Sequence, residues 1–348
     1  MKIGIISDTH IGLARDSFRA EVIKNYRNAI QMLKDSDIII HGGDIFDKND
    51  VRVDVFSEFL EPISEMELRM FYILGNHDIM RTNLITDIDR FRSIKSVRDI
   101  FLGKLSDDGI RYYQEENVVI YGIDYDEYDA HSKIEMLNRK LDRSKINILV
   151  IHQDIKRNGF DGLDPDYLLR TGFDIIVDGH IHSREFIQNK LLIAGSTSIT
   201  RFDRDDFARD KAVYIYDTET RTLKEIPIPN QTRGVSYYLD VVGEDISRIH
   251  QKIDEILNKH PNEFVKIDLK VDKPINISKY RDPRVKIDIR TVAVKDNNVI
   301  DNMEIVDIDK YMKSNWNYNY SYDEFLEIIQ DPDSAVDKLI LLKKDGKI

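Results

Sequence analysis

The sequence predicts an α/β fold with a second, smaller α+β domain, and three observations predict it. Short runs of apolar, mostly β-branched residues recur along the first half of the chain, and each ends in a polar segment rich in Asp, Gly and His. Runs of that kind are what strands covered on both faces look like. Helical spacing of apolar residues separates the first of these runs, so strand, polar loop and helix alternate as an α/β domain requires. Past His182 the pattern changes to shorter strands and turns.

In chain order, Lys2 to Ile6 reads as the first strand and Ser17 to Leu33 as a helix, with Phe18, Val22, Tyr26, Ile30 and Leu33 at helical spacing. Asp37 to Ile40 is the second strand. Val51 to Ile63 is a helix through Val55, Phe59 and Ile63, with Asp50 as the expected N-cap. Strands follow at Met70 to Leu74, Ile146 to Ile151 and Phe173 to Val177. Phe186-Ile187, Leu191 to Ala194, Val213 to Tyr216 and Leu223 to Ile228 are expected as antiparallel strands completing a second sheet. Pro227-Ile228-Pro229-Asn230 ends the run and marks a boundary, because two prolines and an asparagine close strands and open a connection. After it come a strand at Ser236 to Val242, an amphipathic helix at Ile246 to Leu257, and alternating strands at Val265 to Val271 and Val285 to Ile289. The expected organisation is a first domain over 1–230, a cap over 231–300 and a carboxyl-terminal segment over 301–348. In that last segment Trp316, Tyr318, Tyr320 and Tyr322 stand at every second position, which puts four rings on one face of an extended chain and suits either core packing or docking of a partner.

Composition narrows the class. A chain of 348 residues with 41% hydrophobic content buries a large core. The absence of cysteine excludes disulfides and thiolate metal sites. No apolar run approaches the roughly 18 residues of a membrane span, and the amino terminus leads directly into a polar motif, so a soluble cytoplasmic protein without a membrane partner is expected. The formal charge of −12 speaks against binding nucleic acid through lysine and arginine alone, although divalent cations at an acidic site would invert the local field. Arg81, Arg90, Arg92 and Lys95, and again Arg201, Arg204, Arg209 and Lys211, form local basic groups that suit either phosphate contacts or solvated faces.

The polar segments carry the chemistry. Asp8-Thr9-His10, Gly43-Asp44, Gly75-Asn76-His77-Asp78, His152 and Gly179-His180-Ile181-His182 each follow a predicted strand, and in α/β sheets ligands gather beyond the carboxyl ends of the strands. They collect oxygen donors and imidazoles in the order and spacing that two adjacent divalent cations need. Asp44, with two oxygens and a full charge, can bridge two ions; Asp8 and His10 can complete one shell, and neutral Asn76 serves the other. Ligation by N and O without S suits manganese, iron or zinc. Two ions roughly 3.5 to 4 Å apart hold a bridging hydroxide as nucleophile and clamp a phosphate. His77 is then placed to protonate the leaving group, with Asp78 orienting its ring. The histidine ligands bind metal only when neutral, so the site should empty in acid. A lone histidine at a strand end is more often a satisfied core group, and His41, His131, His250 and His260 are read that way.

At these residues the chain resembles the calcineurin-like metallophosphoesterase family. Gly43-Asp44-Ile45-Phe46-Asp47, Gly75 to Asp78, Ile151-His152-Gln153, Gly179 to His182 and Gly195-Ser196-Thr197 are similar to its SbcD branch, the double-strand-break repair nuclease also named for meiotic recombination eleven. The resemblance covers about residues 1 to 230. It implies a four-layered α-β-β-α sandwich and manganese-dependent exonuclease and endonuclease activity on DNA in repair and recombination, in the cytoplasm and associated with the nucleoid. It also implies that Asp8, His10, Asp44 and His182 hold one ion, that Asp44, Asn76, His152 and His180 hold the other, and that His77 is catalytic. Asp47 stands where several members carry histidine, and Ala194 where proline is common. A coiled-coil ATPase of the SbcC type is the implied partner, docking on helices at Tyr322 to Ile329 and Ser334 to Leu342, and a homodimer through residues 81 to 100 is implied as well. Two other readings share the fold: a phosphodiesterase or phosphatase for small molecules, and a non-catalytic binding scaffold, which the complete set of expected ligands disfavours.

Overall fold

The computed structural model describes residues 1–13, 16–79, 100–157 and 161–292, all within one compact unit, Met1–Val292. Arg81, Arg90, Arg92 and Lys95, residues 81–99 of the expected dimer contact, residues 293–300 of the expected cap and everything expected of residues 301–348 lie outside the described residues.

Two sheets form the body. The first has the order β13-β12-β1-β2-β3-β4, from β1 (Lys2–Ile6), β2 (Ile38–His41), β3 (Met70–Tyr72), β4 (Phe101–Leu102), β12 (Ala212–Asp217) and β13 (Thr222–Pro227). The second has the order β10-β11-β9-β8-β7-β6-β5, from β5 (Lys104–Leu105), β6 (Ile110–Glu115), β7 (Val118–Ile123), β8 (Ile146–Ile151), β9 (Ile175–Asp178), β10 (Glu185–Ile187) and β11 (Leu191–Ile193). Every residue of β2, β8 and β9 is buried, as continuous apolar runs demand when both faces are covered.

Alternate residues of these strands serve different layers. Ile3, Ile5, Ile38, Ile40 and Phe71 meet Ile120, Ile148, Val150 and Val177 of the second sheet in one apolar core. Ile6, Ile39, Met70 and Tyr72 face outward into a core shared with α1 (Asp16–Met32) and α2 (Val53–Glu65). The outer face of the second sheet packs Leu149, Ile151 and Ile176 against α3 (Ala130–Lys140) and α4 (Pro165–Arg170). The layers therefore run helix, sheet, sheet, helix, because the strand period of two sends neighbouring side chains to opposite faces. A single helical turn, α5 (Arg204–Phe207), precedes β12.

Some local expectations are corrected. Strands β12 and β13 join the first sheet, with β12 antiparallel to β1 at Ile3↔Tyr216, while β11 lies parallel to β9. Alternation locates a strand but does not name its partner; Tyr214 and Tyr216 fill the core between the sheets and Val213 the outer one, and that double burial decides the pairing. Asp50 does not cap α2: the helix starts after extended Arg52, and no side chain caps it. Strands β4 to β7 and helices α3 and α4 are additional to the elements expected from the sequence. At α4 the start is a capped one, with Asp164 accepting the Asp166 N–H at 3.0 Å and Pro165 in the first turn.

Residues 234–291 carry a separate parallel sheet, β14-β15-β16 (Gly234–Asp240, Phe264–Val271, Val285–Thr291), crossed by α6 (Ile246–Lys259) over a core of Val241, Ile249, Ile253, Ile267 and Leu269. It is joined to the body by aromatic packing. Phe264 sits 4.6 Å from Phe18 of α1 and 6.0 Å from Phe202, ring to ring. Glu21 accepts hydrogen bonds from the backbone and hydroxyl of Thr232 at 2.6 and 2.9 Å.

Phe59 is fully buried at the centre of the α2 layer, against Tyr26, Phe46 and Phe101. Phe59→Ala is expected to destabilise the protein by about 3–5 kcal/mol in urea unfolding, from lost transfer energy plus the cavity left behind, whereas Phe59→Leu should cost distinctly less.

Candidate metal centre

The loops that leave β1, β2, β3, β8 and β9 all depart from the carboxyl ends of their strands and meet at one place. Holding them there requires unusual backbone. Asp8, His10, Asp44 and His180 all have positive φ, at 49°, 46°, 50° and 70°. A non-glycine residue held in that region costs of order 1–3 kcal/mol and persists only where the surroundings over-determine it. Here the loops clasp one another: the Asp8 N–H donates to the Gly43 carbonyl at 3.0 Å, and the His10 N–H to the Asp44 carbonyl at 3.1 Å. Asp78 accepts from the N–H groups of Ile45, Phe46 and Gly75 at 3.2, 3.0 and 3.0 Å, tying the second loop to the third. At Gly75 a Cβ would lie 2.0 Å from Asp44 Oδ1 and 2.4 Å from the Asp44 nitrogen, so glycine is required by close approach.

The side chains fall into overlapping groups. Asp8, His10 and His182 form one, Asp44, His152 and His180 a second, and His10, Asp44 and His77 a third; in each, one donor atom per residue lies within 4.8 Å of the others. Asp44 joins the groups: its Oδ2 is 3.8 Å from His10 Nε2 and 3.4 Å from His152 Nε2, and its Oδ1 accepts the His77 N–H at 2.9 Å. Asn76 Oδ1 is 3.3 Å from His152 Nε2 and 3.0 Å from His180 Nδ1. The expected metal residues Asp8, His10, Asp44, Asn76, His152, His180 and His182 are thus neighbours, with His77 beside them.

This donor set fits divalent cations. His10 Nε2 and His182 Nε2 face each other at 3.1 Å, and Asp8 Oδ2 and His10 Nδ1 are buried without a hydrogen-bond partner. Buried polar atoms of this kind are costly unless something polar meets them. Burial and the neighbouring His182 hold the His10 imidazole well below its ordinary value, and burial and His152 lower His180, which favours the neutral ligand form. Burial works against charge on Asp44, but His152, His10 and His77 outweigh it and keep the carboxyl well below the usual range. Burial likewise opposes protonation of His152, yet Asp44 and Asp8 push it up to about 10. The carboxylates that favour the charged imidazole would equally draw a cation, and a cation would be bound by the neutral ring.

His77 is oriented differently from expectation. Its Nδ1 lies 2.8 Å from the Asp47 carbonyl, while both Asp78 oxygens are taken by backbone N–H groups. Burial and the Asp44 charge push the Asp78 carboxyl up to about 7, which its structural position explains. His41 is buried and satisfied, 3.0 Å from Thr9 Oγ1, and burial takes it down to about 3.

Several residues around the centre were not legible in the sequence. His182 Nδ1 is 3.1 Å from Thr200 Oγ1, and that hydroxyl is 3.2 Å from Asp206 Oδ2. Asp206 is buried against Lys211, which also donates to Ser196 Oγ at 2.9 Å. Lys211 therefore belongs to neither a solvated face nor a phosphate-binding surface. Bonds of this kind fix the tautomer and orientation of a histidine. His180 Nε2 is 3.1 Å from Asp154, and the Tyr125 ring lies 5.7 Å from the His180 ring. Beyond them a cavity of about 350 Å³ opens, lined in part by Tyr125, Tyr128, Glu127 and Asp161. Ser196 of the Gly195-Ser196-Thr197 motif belongs to the first of these networks, but spacing alone does not show that Asp206 and Lys211 fold back onto it.

The family model for calcineurin-like phosphoesterases matches residues 1–184, more than half of the chain. The chain belongs to the calcineurin-like phosphoesterase family, whose members hydrolyse phosphoesters, and its clustered His and Asp residues form a candidate dinuclear metal site. Among solved structures it is similar to a purple acid phosphatase from yellow lupin (Lupinus luteus) seeds, with a TM-score of 0.48 and 16% identity over 67% of this chain and 52% of that one. It is also similar to a 5'-nucleotidase precursor from Thermus thermophilus, with a TM-score of 0.37 and 12% identity over 74% of this chain and 59% of that one. The chain thus spans between half and three fifths of the length of these proteins. No curated protein matches it. Among the described residues no helix is long and apolar enough to cross a membrane.

Gly75→Ala should displace Asp44 and weaken divalent-cation binding by about 10–100-fold in calorimetric titration, with circular dichroism unchanged; wild-type affinity would show that Asp44 is not a ligand. Burial opposes charge on Asp206, but Lys211 and His182 hold its carboxyl well below the usual range. Its contribution to stability is therefore complete above the ordinary value of 3.8 and is lost as pH falls below it. Asp206→Asn should cost about 3–5 kcal/mol at neutral pH, because it strands a buried lysine charge, and the difference from wild type should shrink in unfolding measurements below that value.

Proposed function

We propose that the chain is a metal-dependent DNA nuclease of the SbcD branch, an exonuclease and endonuclease acting on phosphodiesters in double-strand-break repair. The observation that carries the hydrolytic reading is the meeting of Asp8, His10, Asp44, Asn76, His152, His180 and His182 around one buried centre. Asp8, His10, Asp44 and His182 would hold one cation, and Asp44, Asn76, His152 and His180 the other, with manganese the expected metal. Two divalent cations, when bound, activate water and neutralise the phosphate.

The protein's own groups supply the rest. Asp44, which lies near both His10 and His152, would be the carboxylate common to the two cations. His77 is exposed, its ring 4.9 Å from that of His10. A carbonyl only accepts, so the Asp47 oxygen holds an N–H at Nδ1 of His77, and a second proton, carried on Nε2 of the imidazolium, would be the one given to the leaving oxygen. DNA as substrate is supported by the SbcD-like motifs from Gly43 to Thr197 and by the small separate sheet after β13, which we assign as the cap. Residues 301–348 are proposed to dock a coiled-coil ATPase of the SbcC type, and the region from 81 to 100 to form a homodimer.

The test is manganese-dependent cleavage of end-labelled linear duplex DNA, with Asp44→Ala and His77→Asn alongside and bis-p-nitrophenyl phosphate as control. DNA degradation should fall at least ~100-fold in both variants, with metal retained in His77→Asn. Hydrolysis of the control with DNA untouched would replace the nuclease by a small-molecule phosphodiesterase. Deleting 301–348 should abolish ATPase binding and leave hydrolysis of the control ester intact.

A further inference from the structure

We propose that the cavity beside His180 is a nucleobase subsite, which takes the base of a nucleotide whose phosphate lies at the metal centre and prefers bases with exocyclic amino groups. The inference rests on the phosphodiesterase reading and concerns the substrate of that same site.

Three observations support it. The cavity, of about 350 Å³, adjoins the centre through two lining residues that touch a candidate ligand: Asp154 stands 3.1 Å from His180 Nε2, and the Tyr125 ring lies 5.7 Å from that of His180. Its walls offer aromatic faces, since Tyr128 is 87% exposed at the rim while Tyr125 is fixed beside a candidate ligand. Stacking on such rings is how proteins hold unpaired bases without regard to identity.

The remaining polar groups discriminate. Asp126, Glu127, Asp154 and Asp161 bring four carboxylates to the cavity. Much of their charge is already answered: Asp126 pairs with Lys133 at 2.7 Å, Asp154 faces His180, and Glu127 lies 3.4 Å from the Tyr125 hydroxyl. A phosphate would still be repelled. A neutral ring with N–H donors is suited to these acceptors, as carboxylates accept from the cytosine amino group elsewhere. Thymine, with carbonyl oxygens in the corresponding place, is not.

The test compares manganese-dependent hydrolysis of the p-nitrophenyl esters of cytidine and thymidine 5'-monophosphates, bis-p-nitrophenyl phosphate and p-nitrophenyl phosphocholine. The cytidine ester should show a KM about 5-fold or more below that of the thymidine ester. Tyr128→Ala should raise KM for both nucleoside esters about 10-fold, Glu127→Gln should erase the cytidine preference, and both variants should leave bis-p-nitrophenyl phosphate unchanged. Equal KM values for the two nucleoside esters, equal shifts on all substrates, or preference for the phosphocholine ester, which would make the cavity a cation site, would each overturn the proposal. Calorimetric binding of cytidine and thymidine 5'-monophosphates gives the same comparison without turnover. Discrimination there with no ester hydrolysed would sink the catalytic reading and leave the subsite standing.

Discussion

The centre depends on keeping the Asp44 carboxylate ionised where it is 2% exposed. Burying an isolated charge is prohibitive unless it is paired and hydrogen-bonded, and every neighbouring feature answers that demand. The His77 N–H reaches one oxygen, and His152 and His10 approach the other. Gly75 leaves room for the carboxylate, and the left-handed backbone at Asp44 turns it away from the strand line. The strain in these loops is thus tied to the charge they surround.

That arrangement needs both sheets. The first supplies Asp8, His10, Asp44 and Asn76 from the ends of β1, β2 and β3; the second supplies His152, His180 and His182 from the ends of β8 and β9. Cross-connections fix their register. His152 Nδ1 donates to the Gly42 carbonyl at 2.8 Å, and the His180 N–H donates to Asp8 Oδ1 at 3.1 Å. A slip of one residue in β8 would turn Leu149 and Ile151 into the core between the sheets and carry His152 away from Gly42. The apolar interior and the polar centre therefore specify one another.

How far the sequence reveals this varies with the kind of interaction. The strands that lead to the motifs are legible because double burial leaves an uninterrupted apolar run, as in Ile146–Ile151. The candidate donors are legible because Asp, Asn and His crowd the turns after those runs. Partner choice is not, and β12 shows why: its alternation is the same whichever sheet it joins, and only the packing of Tyr214 and Tyr216 between the sheets decides. The support behind the donors is equally hidden. Lys211 and Asp206 read as two more charges in a charged segment, yet fold inward as a pair because each makes the other's burial tolerable. The role expected of Asp78 failed for a related reason, since adjacency to His77 in sequence does not fix direction, and three nearby N–H groups claim its oxygens.

The segment from Ser196 to Phe207 ties the small three-stranded sheet to this centre. Thr200 and Asp206 stand behind His182, while Phe202 and Phe207, on the same stretch of chain, pack with Phe18 and Phe264. One side of the segment is thus fixed by a buried ion pair and the other by aromatic contact with β15. Close-packed groups of this kind transmit displacement instead of absorbing it. A shift of Phe264 would be passed through Phe202 to Thr200, two residues away, and from there to the ring of His182. The position of the small sheet and the orientation of a candidate metal ligand are therefore set by the same dozen residues.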